Sequence, residues 1–183
     1  MADRNALIDM FIAGSPWAGS TRATLAGDAS NRRYDRMTDP DTGETAILMD
    51  APPEKGEDVR PFLRIAEHLC NAGLSAPQII AQDAEHGLLI LEDLGDDLFS
   101  RVLRAHPAKE PLLYETATDV LVALHRAPAP TLEAYDPPLM TDLACLAFDK
   151  YAALVTGNAA SDVRNRFAER FQDILEQTTT NAR

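Results

Sequence analysis

The spacing of apolar positions changes period several times along the chain, and each change marks an element. Residues 5–13 set Leu7, Ile8, Phe11 and Ile12 on one helical stripe. A loop of small residues follows, with Gly14, Ser15, Pro16, Gly19 and Ser20. From Thr21 the texture is that of short extended segments: ATLAG at 23–27, RRYDRMT at 32–38 and TAILMD at 45–50. Pro40-Asp41-Thr42-Gly43 separates the last two, because Pro presets φ for a turn and Gly accepts positive φ. The pattern predicts three antiparallel strands joined by two hairpins.

After Ala51-Pro52-Pro53 the helical period returns, from about Glu57 to Asn71. Val59, Phe62, Leu63, Ala66 and Leu69 mark its apolar face. Pro61 sits in its first turn, where a missing N–H costs little, and Asn71-Ala72-Gly73 stops it. PQIIAQD (77–83) and GLLILEDLG (87–95) read as two more strands around the turn Ala84-Glu85-His86-Gly87. Beyond Gly95 the pattern is helical, over about 97–105, 110–126, 139–156 and 159–177, and the aperiodic TTTNAR is expected to fray. The expectation is an α+β chain. Residues 1–95 carry a five-stranded antiparallel sheet with one helix between its third and fourth strands, and residues 96–183 carry helices.

Composition narrows the function classes. Hydrophobic residues make up 45% and charged residues 25%, which is globular rather than disordered. No stretch approaches the roughly 20 apolar residues of a membrane span. With 29 acidic against 17 basic residues the net charge is −12, which repels nucleic-acid phosphates and anionic membranes. Met1-Ala2-Asp3-Arg4 has no apolar signal core, and Cys70 and Cys145 stand alone, as thiols do in a reducing compartment. A cytoplasmic protein is the expectation.

Two segments are candidates for chemistry. In Leu25-Ala26-Gly27-Asp28-Ala29-Ser30-Asn31-Arg32-Arg33-Tyr34, a Gly and small polar residues between strands allow close backbone approach to a phosphate, with N–H groups and the Ser30 hydroxyl as donors. Arg32 and Arg33 point to opposite faces, so at most one readily faces a phosphate beneath the sheet. An ordinary hairpin with exposed arginines has the same sequence. The second segment is Glu92-Asp93-Leu94-Gly95 at the end of the last strand, where the bland reading is a solvated acidic turn. Asp96-Asp97 and Asp39/Asp41 are carboxylate pairs that a solvated turn also explains.

Taken in order, GDASNRRY, AILMDAPP, EDVRPFLRIAEHL, GLSAPQI and LLILEDLGDDLF resemble successive blocks of the aminoglycoside phosphotransferase family. They are most similar to its branch of bacterial amino-sugar kinases, which phosphorylate N-acetylmuramate and N-acetylglucosamine at the anomeric position. The likeness covers residues 20–127 well and the later helices loosely. It implies a protein-kinase-like N-lobe, the roof over ATP, followed by the first helices of a C-lobe. It implies that Gly27, Asp28, Ala29, Ser30 and Asn31 form a phosphate loop and that Glu92 and Leu94 hold adenine through their main chain. Glu67 stands about where a helix glutamate pairs with a strand lysine in kinases. That lysine is missing: the strand reads Ala46-Ile47-Leu48-Met49, and its role would pass to an arginine such as Arg33. That these groups are solvated surface residues stays equally open.

The likeness also implies residues that this sequence does not contain. Phosphoryl transfer in the superfamily uses an aspartate on an H-x-D-x-x-x-x-N loop and a later aspartate on Mg²⁺. None of His68, His86, His106 and His125 has Asp two residues later, and Ala127 stands where His125-Arg126 would need one. In the family that loop falls about where residue 183 lies, so the Mg²⁺ ligands and the sugar pocket are expected outside these residues. The chain is thus expected to hold ATP without turning it over, with a small hydroxylated substrate such as an amino sugar belonging to the complete protein. Uncovered helices would invite a homodimer. The alternatives are a non-catalytic interaction module with the same fold, or an α+β domain with no nucleotide site.

Overall fold

Five strands form: β1 (Thr21–Thr24), which is polar and exposed, and β2 (Arg33–Thr38), β3 (Thr45–Asp50), β4 (Ile79–Asp83) and β5 (Leu88–Glu92), which carry the apolar positions. The computed structural model describes residues 3–25, 30–132, 134–156 and 161–180. It joins the strands in one sheet of order β1-β2-β3-β5-β4, every neighbouring pair antiparallel. The fold is therefore the α+β arrangement, a five-stranded antiparallel sheet followed by helices, that the sequence predicts.

The central strands β3 and β5 are the most apolar, and their alternation gives the sheet two greasy faces. Met37, Ala46, Leu48, Leu88 and Ile90 form one core with Ile8 and Ile12 of α1 (Arg4–Ala13). Met49, Ala51, Leu89 and Leu91 form the other with Val59, against Phe62 and Leu63 of α2 (Arg60–Asn71). Each fully buried Leu or Ile contributes about 1.5–3 kcal/mol, so two covered faces are what make a five-stranded sheet self-supporting. Arg4 adds a tether, its Nε and Nη2 donating to Asp50 Oδ1 at 2.9 and 2.6 Å. Both edges are short: β1 has four exposed residues, and β4 is irregular between Ile79 and Ala81.

Several boundaries move for local reasons. β1 lies at Thr21–Thr24 rather than 23–27, with Leu25 N–H still donating to the Tyr34 carbonyl at 2.8 Å. α2 begins at Arg60 rather than Glu57, where Asp58 Oδ1 accepts from Arg60 N–H at 3.0 Å and Pro61 fills the first turn. Gly87 turns into β5 with φ 68°, and a Cβ there would overlap the Ala51 carbonyl oxygen, so this turn takes glycine alone.

By its packing the chain separates into Met1–Ala129 and Pro130–Arg183. The first unit also contains α3 (Phe99–Ala105) and α4 (Glu110–Arg126), which group with the sheet although the sequence texture changes at residue 95. No residue of α4 is buried, and Leu112, Tyr114, Val120 and Leu121 are exposed. The second unit holds α5 (Pro137–Leu146), a π-helical stretch (Ala147–Ala152), α6 (Ala153–Thr156) and α7 (Ser161–Thr180). Asp136 caps α5 by accepting from Leu139 N–H at 3.1 Å. Phe167 stacks on Phe171 and meets Phe148 at a tilt of 45°, and Arg164 grips Asp149 through Nε and Nη2 at 2.7 and 3.1 Å. Residues 178–180, read as fraying, continue α7; Thr178 Oγ1 bonds back to the Ile174 and Leu175 carbonyls.

Candidate functional site

β5 ends at Glu92 because the next residue is committed sideways. The Asp93 side chain is 5% exposed and lies 2.7 Å from Arg36 Nε, an ionic contact rather than an aligned hydrogen bond. Its Oδ1 accepts from Arg36 Nη2 at 3.2 Å and from Gly95 N–H at 2.9 Å. Burial alone would raise this carboxyl's pKa, but the Gly95 N–H, Arg36 and Thr45 hold it below the usual carboxylate range. Asp96 closes the grip, with Oδ2 at 2.9 Å from Arg36 Nη1 and Oδ1 at 3.1 Å from Nη2. Arg36 in turn holds Asp96 below its ordinary value, and the two carboxylates, Asp96 foremost, push the guanidinium pKa still higher.

Pinned by Asp93 and Asp96, the connector turns at Gly95, where φ is 78°. This leaves Leu94 60% exposed, and its main-chain N–H and carbonyl have no partner among the described residues. On the α2 face beside it lies a cavity of about 320 Å³, walled by Tyr34, Ile47, Met49, Phe62 and Leu91 and closed by residues 92–96. A mostly apolar slot with a few polar groups at one edge is the usual build of a small-molecule site. A planar heterocycle in the slot could meet the free Leu94 edge.

At the other end of β2, the loop is anchored by Glu57. Asn31 N–H donates to Glu57 Oε1 at 3.1 Å, Arg32 Nε to Oε2 at 2.8 Å, and Asn31 Nδ2 to the Lys55 carbonyl at 3.2 Å. Ser30 Oγ accepts from Arg32 N–H at 3.3 Å. Arg32 holds the Glu57 carboxyl below its usual pKa, against burial and with help from Asn31 N–H. Arg32 borders a second groove of about 340 Å³ that shares Phe62 and Pro77 with the cavity beside the connector.

The site residues expected from the sequence are therefore not all brought together. Ser30 and Asn31 stand at the loop's end, whereas Gly27, Asp28 and Ala29 lie outside the described residues. Leu94 offers an open main chain among the described residues, whereas the Glu92 N–H donates to the carbonyl of Gln78, just before β4, at 2.9 Å and its Oε2 accepts from Gln78 N–H at 3.1 Å. Arg33 faces the wrong way for a cation beneath the sheet. It opposes Asp50 in register and lies 3.4 Å from Oδ2 on the α1 face, away from the cavity. Glu67 is exposed on α2 with no described partner; the glutamate that does pair with an arginine beside the cavity is Glu57. Met49, standing where kinases carry the lysine, is 1% exposed in the cavity wall. The Arg36–Asp93–Asp96 cluster is not foreseen by the sequence, although Asp96 is exposed as a solvated turn implies. Its one available signal was an arginine at a cavity-facing position of β2 in a chain rich in acids. Among the described residues no three His, Cys, Asp or Glu side chains are grouped to hold a metal.

Comparison with known proteins gives this geometry a family. The phosphotransferase enzyme family matches residues 21–180. An N-acetylmuramate/N-acetylglucosamine kinase of Caulobacter vibrioides is 33% identical over 203 residues, covering 94% of this chain and 52% of that protein. Kinases of the same name from Pseudomonas aeruginosa and Pseudomonas putida are 40% and 35% identical, covering 73% and 86% of this chain but 39% and 45% of their own lengths. The chain thus spans about half the length of the relatives it matches. By its sheet order, its connector and a match running from β1 into α7, this chain belongs to the phosphotransferase enzyme family.

Proposed function

We propose that this chain is the ATP-binding portion of an amino-sugar phosphotransferase, working in the cytoplasm. The observation that carries the reading is Leu94, whose N–H and carbonyl have no partner among the described residues, beside the apolar slot lined by Ile47 and Leu91. Adenine is flat and apolar on its faces and carries donors and acceptors on its edge, which suits both features. The phosphates would then run toward Ser30 and Asn31, with Arg32, on the cavity side of β2, as the nearest cation. Glu57 pre-orients that arginine, much as a helix glutamate orients a strand lysine in kinases.

What these residues supply is positioning and partial charge neutralisation, the larger share of catalysis in phosphoryl transfer. Mg²⁺, when bound, would neutralise the phosphates further; its ligands and the acceptor-side aspartate belong to the complete protein. So does the sugar, and the names of the relatives support N-acetylmuramate or N-acetylglucosamine.

Isothermal titration of the 183-residue chain with Mg-ATP tests the reading. The expected result is saturable binding, weakened at least tenfold by Ile47→Trp, which fills the slot. A folded sample that gives no binding heat at any concentration contradicts it.

A further inference from the structure

The Arg36 cluster does something that neither the fold nor the phosphate chemistry requires. Arg36 stands on β2 opposite Ile47 of β3, and Ile47 in turn opposes Leu91 of β5. Its guanidinium therefore reaches beneath β3 to the connector that follows β5, a span of two inter-strand spacings, or roughly 10 Å. There it meets two carboxylates with four contacts, to Asp93 at 2.7 and 3.2 Å and to Asp96 at 2.9 and 3.1 Å. Lysine, a single point charge, could not hold both; the planar fork can. Because both acids already occupy it, this arginine is not left over for a phosphate. The acids bracket Leu94, which lines the slot and whose N–H and carbonyl have no partner among the described residues.

We infer that Arg36 is a positioning residue for nucleobase selection: it fixes the connector against β2 so that the Leu94 main chain meets the edge of one base and not another. The inference rests on the nucleotide reading above. A hydrogen-bonding edge discriminates only if it is held still, since a loose edge can turn to suit a base with donors and acceptors exchanged. A merely structural ion pair would lower stability everywhere and leave base preference alone. Arg36 as positioner changes the preference itself.

The test is titration of the chain and of Arg36→Gln with Mg-ATP and Mg-GTP, together with amide hydrogen exchange of the nucleotide-free proteins. Wild type is expected to prefer ATP at least tenfold. Arg36→Gln is expected to bring that ratio to within about threefold, chiefly by weakening ATP. Without nucleotide, the Gly95 and Leu98 amides should exchange faster in the variant, while those of Leu89 and Ile90 stay protected. Arg36→Lys should restore part of the protection and part of the ratio. An unchanged ATP-to-GTP ratio, or equal exchange at Gly95, overturns the inference while leaving the ATP site standing. Faster exchange throughout β5 overturns it in favour of a general structural role. A wild-type chain that binds neither nucleotide overturns this inference and the nucleotide reading together.

Discussion

At the scale of the residue, strand parity decides which charges can act. Arg32 and Arg33 are adjacent, yet one pairs with Glu57 beside the cavity and the other with Asp50 on the α1 face. Arg32→Gln is therefore expected to weaken ATP and ADP at least tenfold and adenosine hardly at all. Arg33→Gln should leave all three within twofold, because Arg4 still holds Asp50. Titration of both variants with the three ligands checks this; a larger loss at Arg33 would reverse the assignment. The parity itself was legible in the sequence, but not which arginine took which face, since that follows from the register Arg33↔Asp50 and from α1 landing on that side. Arg36 was invisible for a similar reason. Its partners are 57 and 60 residues away and carry no periodic signal.

Elements are where sequence pattern speaks most clearly. The strand TAILMD falls at 45–50 as read, and α4 falls at Glu110–Arg126 as read, because long or strongly alternating apolar runs dominate local alternatives. Ends were less legible: the start of α2 at Arg60 goes with Asp58 accepting from Arg60 N–H, a bond that leaves no mark in the apolar period. Burial separates elements that look equally apolar. Ile8 of α1 is 0% exposed, and Leu121 of α4 is 56% exposed. Ile8→Ala should cost about 2–5 kcal/mol of stability by opening a cavity against Met37 and Leu48. Leu121→Ser should change it by less than about 0.5 kcal/mol. Chemical denaturation of the two variants makes the comparison, and an equal cost would mean that α4 is packed after all.

For the whole molecule, charge sets the working window. Asp39, Glu57, Asp83, Asp93, Asp96 and Asp149 are all held below their ordinary pKa values in the folded chain. A carboxyl depressed on folding stabilises fully above its unfolded pKa of about 4 and loses that contribution as pH falls toward its folded value. The melting temperature should thus be level from pH 7 to about 5 and fall steadily below about 4; a maximum below pH 4 would contradict the ion pairs described. The connector should loosen over the same range, since two of these acids hold it.

The measurement that bears most directly on the central claim is an amide chemical-shift titration of the isotopically labelled chain with Mg-ATP. The account predicts saturable shifts concentrated at Ser30 to Tyr34, at Ile47 and Met49, and at Leu91 to Asp96, with Leu94 among the largest. Shifts confined to α4 through α7, or none from a folded sample, would contradict a nucleotide site beside the connector.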